Sequence, residues 1–278
     1  MQDKCITVSY CFDRNYVDPT VVSTYSAFKS STTPIKFYWI CNGYAVLHAE
    51  FYRKSLSKLG IDINIIEVSE DVFNSWKSDL IVPHIPKAAY MRLLIPHLLN
   101  EGRSIYLDSD TIIRSDLSEL YNMDLGSTSI GGIYNFHEQS DSHIKPPILD
   151  SDELYINSGV LIMDLNKLRE DDFILKAEEI HRVYYDKIMA SDQCVINKYI
   201  ENSKTLIDRR WNFMVKSSKF TEVEFQEILK DESIHILHFT DCNKPWDVMG
   251  WNRAISRFWW SIANEMRDEL ERLGSEVY

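Results

Sequence analysis

The stretch "SIYLDSDTIIRSDLSEL", residues 104–120, decides how this chain is read. It begins as an apolar run of the kind that forms a buried strand, then breaks into two aspartates, Asp108 and Asp110, on either side of Ser109. Burying one carboxylate is costly and placing two together is costlier, so something positive must accompany the pair. Side chains two residues apart in a strand point the same way, which predicts that Asp108 and Asp110 converge while Leu107 packs on the other side. Two carboxylates at the carboxyl end of a strand suit a divalent cation. In open α/β sheets that end is also where ligands bind. The competing reading of D-S-D is a solvated corner.

Outward from this stretch, strand-like and helix-like segments alternate. "CITVSYCF" (5–12), "IKFYWIC" (35–41) and "INIIEV" (63–68) read as strands. Between them, "DPTVVSTYSAFKSS" (18–31) and "YAVLHAEFYRKSLSKLG" (44–60) have helical spacing, and "KAAYMRLLIPHLL" (87–99) predicts a further helix. This rhythm predicts an α/β fold on a mostly parallel sheet flanked by helices. Beyond Asp110 the pattern is mixed. "SIGGIYNF" (129–136), "YINSGVLIMDL" (155–165) and "IHILHF" (234–239) read as strands, with a polar segment around Pro146 and Pro147. Residues 169–187 and 191–200 read as helices, and "RAISRFWWSIANEMRDELERLG" (253–274) as a closing amphipathic helix. No linker divides the chain, so one domain over residues 1–250 with a helical tail over 251–278 is expected.

The 278 residues are 45% hydrophobic, enough for a sizeable core. The formal net charge of −12 argues against nucleic acid as a partner. Five widely spaced cysteines (Cys5, Cys11, Cys41, Cys194, Cys242) fit reduced thiols better than a disulfide framework. The N-terminus lacks the basic start and apolar run of a secretory signal, and no stretch is long enough to span a bilayer. A cytoplasmic protein is expected.

Seven blocks carry a resemblance, in order: "CFDRNY", "AAYMRLLIP", "YLDSDTIIRSDLSELYNMDLG", "YINSGVLIMDLNKLR", "SDQCVINKY", "RWNFM" and "LHFTDCNKPW". Together they resemble the retaining nucleotide-sugar glycosyltransferases of family 8, which include bacterial galactosyl- and glucosyltransferases and glycogenin. The resemblance covers about residues 5–250 and implies a GT-A fold whose D-x-D motif holds manganese or magnesium on the donor diphosphate. Asp108 and Asp110 fall on that motif, with Ser109 between them, and His238 falls on the third metal ligand. Asp13, Asn15 and Tyr16 match the nucleotide-recognition segment, where a carboxylate can accept the uracil imide N–H and a ring can stack on the base. Arg92 matches a donor-contacting arginine. Lys244 matches the lysine that offsets charge on the leaving diphosphate. Asn157, Asp192 and Gln193 match groups lining the donor sugar, and Asp192 also suits the first turn of a helix.

The implied reaction moves glucose or galactose from a UDP-sugar to the hydroxyl of a carbohydrate or glycolipid acceptor, such as a cell-surface glycan or lipopolysaccharide, with retention. Gln193, a neutral amide, is a poor nucleophile, which favours front-face attack, with Asp192 as the fallback nucleophile. One departure stands out: Asp241 occupies a position where family members usually carry glycine. Either its side chain turns away from the diphosphate or donor binding weakens, which leaves nucleotide-sugar binding without turnover as an alternative. "YLDSDT" also resembles haloacid dehalogenase-type phosphatases, but there the motif stands near the N-terminus.

In the tail, Trp251, Ile255, Phe258, Trp259, Ile262, Met266, Leu270 and Leu273 recur near helical spacing, with Arg253 and Arg257 alongside. Such a helix packs on its own core or lies peripherally on the inner membrane face. The acidic run that follows favours packing.

Overall fold

The structure is a computed structural model that describes residues 5–73, 76, 87–135, 147–151, 154–216, 219–247 and 253–274. Pro146 and Trp251 of the sequence reading lie outside them. The first half runs β1 (Ile6–Phe12), α1 (Val17–Ser30), β2 (Ile35–Cys41), α2 (Ala45–Ser57) and β3 (Asp62–Glu67). After a 3-10 helix over Lys87–Leu94 come α3 (Ile95–Leu98), β4 (Arg103–Leu107), β5 (Thr111–Ile113), α4 (Ser118–Tyr121), β6 (Ile130–Tyr134) and β7 (Ile156–Asp164). The remainder is α5 (Leu165–Glu170), α6 (Phe173–Val183), α7 (Ser191–Tyr199), β8 (Thr205–Leu206), β9 (Phe213–Val215), α8 (Glu222–Lys230), β10 (Ile236–Phe239) and α9 (Arg253–Arg272).

Seven strands form the main sheet in the order β3-β2-β1-β4-β7-β6-β8. The pairs among β3, β2, β1 and β4 are parallel, whereas β7 runs antiparallel to both its neighbours. The two-residue period of each strand divides its side chains between two cores. Val8, Tyr10 and Phe12, with Phe37, Trp39, Ile105 and Leu107, join the core that also holds residues of α1, α2 and α9. Cys11, Tyr38, Ile40 and Tyr106 join the core that holds residues of α6, α7 and the 3-10 helix. Burial on both faces explains why these strands read as near-continuous apolar runs.

A second sheet of three strands, β5-β10-β9, lies beyond the end of β4. There β10 pairs antiparallel with β5, setting His238 opposite Thr111. This small sheet carries His238 to the aspartates.

Two expectations change in detail. Residues 87–94 wind as a 3-10 helix before a short α-helix, in place of one continuous α-helix. Pro96 stands in the first turn of that α-helix, where a missing N–H costs no intrahelical bond. The strand expected to end in Asp108 and Asp110 also stops sooner: β4 ends at Leu107, residues 109–110 turn, and β5 starts in the other sheet. The turn and the convergence of the aspartates turn out to be the same feature.

Helix α9 buries Ala254, Ile255, Trp259, Ala263, Met266 and Leu270 in the first core. Its apolar face is therefore covered by protein. Among the described residues, no helix is long and apolar enough to cross a membrane.

Candidate functional site

A cavity of about 190 Å³ opens where β1, β4 and β10 end and the antiparallel β7 begins. Asp13, Tyr16, Arg92, Asp108, Ser109, Asp110, Asn157, Asp192, Gln193, His238 and Lys244 all line it; of the residues singled out from sequence, Asn15 does not. Asn15 instead donates its backbone N–H to Asp13 Oδ1 at 2.8 Å, which caps the short turn carrying Tyr16. The Tyr16 ring sits edge-to-face on Trp246, and Trp246 in turn packs on Trp259 of α9. The closing helix thus braces the aromatic wall of the site.

Asp108 leaves the end of β4 with its backbone N–H bonded to the Gly159 carbonyl of β7 at 2.7 Å. Its Oδ1 accepts from the Tyr106 hydroxyl at 2.7 Å and pairs with the Arg92 guanidinium at 3.0 Å. Burial holds the Tyr106 phenol well above its ordinary pKa, so it stays a donor. The Asp108 Oδ2 atom faces His238 Nε2 at 3.7 Å. Asp110, past the turn, directs Oδ1 to His238 Nε2 at 3.2 Å and Oδ2 to Lys244 Nζ at 2.7 Å. Burial raises the Asp110 pKa, but the Lys244 ammonium opposes it and the carboxyl stays well below the usual range.

One atom each from Asp108, Asp110 and His238 lies within 4.8 Å of the others. His238 Nδ1 lies 2.8 Å from Asn212 Oδ1, an oxygen that can only accept, so Nδ1 carries a proton. In the neutral ring, Nε2 then offers a lone pair beside two carboxylate oxygens. Three electron-rich atoms so close repel one another unless a cation sits among them, and two carboxylate oxygens with one imidazole nitrogen suit a divalent transition-metal ion such as manganese. Gly159 keeps that space open. A Cβ added there would fall 2.2 Å from His238 Cε1 and 2.7 Å from Asp108 Oδ2. The residues present fit a divalent cation.

Arg92 is 6% exposed and reaches Asp108, Asp192 (2.9 Å) and the Ser158 carbonyl (2.8 Å). It also stacks on the Tyr106 ring, its guanidinium carbon 4.4 Å from the centroid. Its fork joins two carboxylates, the half-buried Asp108 and the buried Asp192. Burial pushes the Asp192 carboxyl up to about 6, against the pull of Arg92 and with the help of Asp108. Asp192 also accepts from the Ser158 hydroxyl at 3.0 Å. Its neighbour Gln193 accepts from the Ser158 N–H at 3.0 Å. Both follow Ser191, which adopts a left-handed backbone (φ 46°) and turns the start of α7 into the cavity.

Asp241, the departure from the family pattern, turns its carboxylate onto the Cys242 N–H at 2.8 Å. Thr240 and Lys244 are the residues of that loop that line the cavity. Sequence reasoning missed Tyr106, Ser158, Gly159 and Asn212. Asn212 lies within the block "RWNFM", whose place beside β9 could have pointed to it.

The family model for Glycosyl transferase family 8 matches residues 7–250. Among curated relatives, glycosyltransferase GlyF of Streptococcus pneumoniae is 24% identical over 226 residues, which is 81% of this chain and 53% of that protein. The probable glycosyl transferase Gly of Streptococcus gordonii is 26% identical over 247 residues, 86% of this chain and 33% of that one. General stress protein A of Bacillus subtilis is 25% identical over 228 residues, 77% of either chain. The chain thus spans about half the length of the first relative and a third of the second. Galactosyltransferase LgtC, solved with donor and acceptor sugar analogues, superposes with a TM-score of 0.79 at 23% identity, covering 94% of this chain and 96% of LgtC. The topology is that of the GT-A fold, and the chain belongs to glycosyl transferase family 8.

Proposed function

We propose that this glycosyltransferase moves a hexose, glucose or galactose, from a UDP-sugar to an acceptor hydroxyl on a glycan or glycolipid, retaining the anomeric configuration and requiring manganese or magnesium. The observation that carries this reading is the meeting of Asp108, Asp110 and His238 beside Lys244 in one cavity. Asp108, Asp110 and His238 would hold a divalent cation, which would supply Lewis-acid neutralisation of the leaving diphosphate. Lys244, held by Asp110 and by the Phe239 carbonyl at 2.8 Å, adds a fixed positive charge. Tyr16 offers a braced ring for the base, and Asp13 an acceptor for the uracil imide.

Asn157, Asp192 and Gln193 bind the donor sugar in this reading. Asp192 is 3% exposed and held by Arg92 and Ser158, which makes it a poorly presented nucleophile. The amide of Gln193 is neutral and its oxygen already accepts from Ser158. Both observations favour front-face attack over a covalent sugar–enzyme intermediate. The turned-away Asp241 carboxylate supports turnover over binding alone.

The test is a thermal-shift series with UDP-glucose, UDP-galactose and other nucleotide-sugars, with and without manganese. A ligand at a hundred times its Kd adds about 2.7 kcal/mol of stability. UDP-hexoses are expected to raise the melting temperature only with metal, and Asp108→Ala with Asp110→Ala removes the effect. An undiminished shift in that double variant rules out the proposed cation site.

A further inference from the structure

Behind the cation position lies a row of polar side chains whose orientations follow from the main chain. An Asn or Gln amide has a donor end and an acceptor end of nearly the same shape, so its neighbours decide which way it turns. Here the deciding neighbours are backbone N–H groups, which can only donate. The Gly159 N–H points at Asn157 from 3.0 Å, so that end of Asn157 is oxygen. The Ser158 N–H points at Gln193 from 3.0 Å, so that end of Gln193 is oxygen too. Asn157 therefore turns its NH₂ to Gln193 Oε1, at 3.2 Å. The Asn157 oxygen accepts a second bond, at 2.8 Å, and its donor is Asn212 Nδ2. With its nitrogen committed there, Asn212 has only its oxygen to present to His238 Nδ1. Asn212 is 1% exposed, so no bulk water can substitute for these partners.

We propose that Asn212 is a positioning residue: it fixes the neutral His238 ring with the proton on Nδ1, the tautomer whose Nε2 can ligate a cation, and takes its own orientation from the backbone of β7 through Asn157. A partner on the far nitrogen of a ligating histidine fixes its tautomer and ring angle, and losing it typically weakens metal binding about 10- to 100-fold. The row ends at Gln193, so the cation side and the sugar side of the site are set by consecutive backbone groups, Ser158 and Gly159. The inference rests on the cation reading above for its consequence, but not for the proton position.

Two measurements test it, neither of which needs turnover. Long-range proton–nitrogen correlation on metal-free, ¹⁵N-labelled protein, with the His238 signal identified by its loss in His238→Gln, is expected to show Nδ1 protonated in the neutral ring. A neutral ring with its proton on Nε2 alone overturns the proposal. Manganese binding is then followed by the paramagnetic resonance of free ion, without donor. Asn212→Ala is expected to bind about 10- to 100-fold more weakly. Asn212→Asp, which keeps an oxygen towards Nδ1–H but loses the NH₂ that bonds Asn157, is expected to bind more tightly than Asn212→Ala. Equal affinity in Asn212→Ala, or no rescue in Asn212→Asp, overturns the role of Asn212 and leaves the cation site standing. An unaltered protein that binds no manganese removes the cation reading instead, while the proton assignment is still decided by the first measurement.

Discussion

Gly159→Ala is the sharpest single perturbation of the site. Gly159 sits within β7 and is not among the residues with positive φ, so alanine meets no backbone strain there. What the new methyl meets is His238 Cε1 at 2.2 Å, Asp108 Oδ2 at 2.7 Å and His238 Nδ1 at 2.9 Å. Carbon atoms in contact prefer about 3.5 Å or more, so the imidazole must retreat by roughly 1.3 Å. Metal–ligand distances tolerate only about 0.2 Å, and a displacement of this size takes His238 out of reach of a cation held by the aspartates. The loss should exceed the roughly 10- to 100-fold penalty of disturbing an outer partner. The fold loses less. Overpacking costs about 1–3 kcal/mol, and removing glycine's freedom from the unfolded chain offsets about 0.4–1 kcal/mol of it. At about 2–4 °C per kcal/mol for a chain of this size class, the melting temperature falls by only a few degrees. Calorimetric manganese titration alongside a melting curve separates the two effects. Tight manganese binding in a folded Gly159→Ala protein would refute the proposed ligand geometry.

Other expectations follow from the same network. Arg92→Lys keeps a charge but not the fork, leaving the buried Ser158 carbonyl and one carboxylate without a partner, so chemical denaturation should show a loss of about 1–3 kcal/mol. Glu201 accepts from the Asp150 and Ser151 N–H groups and pairs with Lys198, which holds its carboxyl down at about 2. Its stabilisation is complete above the ordinary value of 4.5 and is lost as pH falls towards 2. Glu201→Gln should therefore cost about 1.5–3 kcal/mol at pH 7 and converge on the unaltered protein in acid; a gap that persists at pH 2 contradicts the assignment. Trp259→Ala empties a buried site under Trp246 and should cost about 3–5 kcal/mol. Because the apolar face of α9 is covered, sedimentation with anionic vesicles is expected to be the same with and without salt, and salt-sensitive binding would point to a membrane contact instead.

Strand positions were legible because burial on both faces leaves a mark in one dimension. Residues 5–12, 35–41 and 155–165 are apolar at nearly every position, and their length suits strands. The 87–99 segment was legible as helical but not as 3-10, since over so few residues the apolar pattern does not separate the two windings. Asp108 and Asp110 stood out because their charge interrupts an apolar run. Arg92 was marked only by its place in a resembling block, and its link to Asp108 and Asp192 depends on three elements distant in sequence. Asn212 was marked only by its place in the block "RWNFM", because an uncharged amide beside a tryptophan suits any turn.

Local order therefore came from the chain itself: periodicity, proline positions and the costly pair of aspartates each act over a few residues. Bringing His238 opposite Thr111, and Lys244 onto an aspartate 134 residues away, was left to the three-stranded sheet and the turn at the end of β4. Hydrogen-bond donors and acceptors recognise one another only at contact distance, so proton placement and charge pairing depend on packing that no one-dimensional pattern encodes.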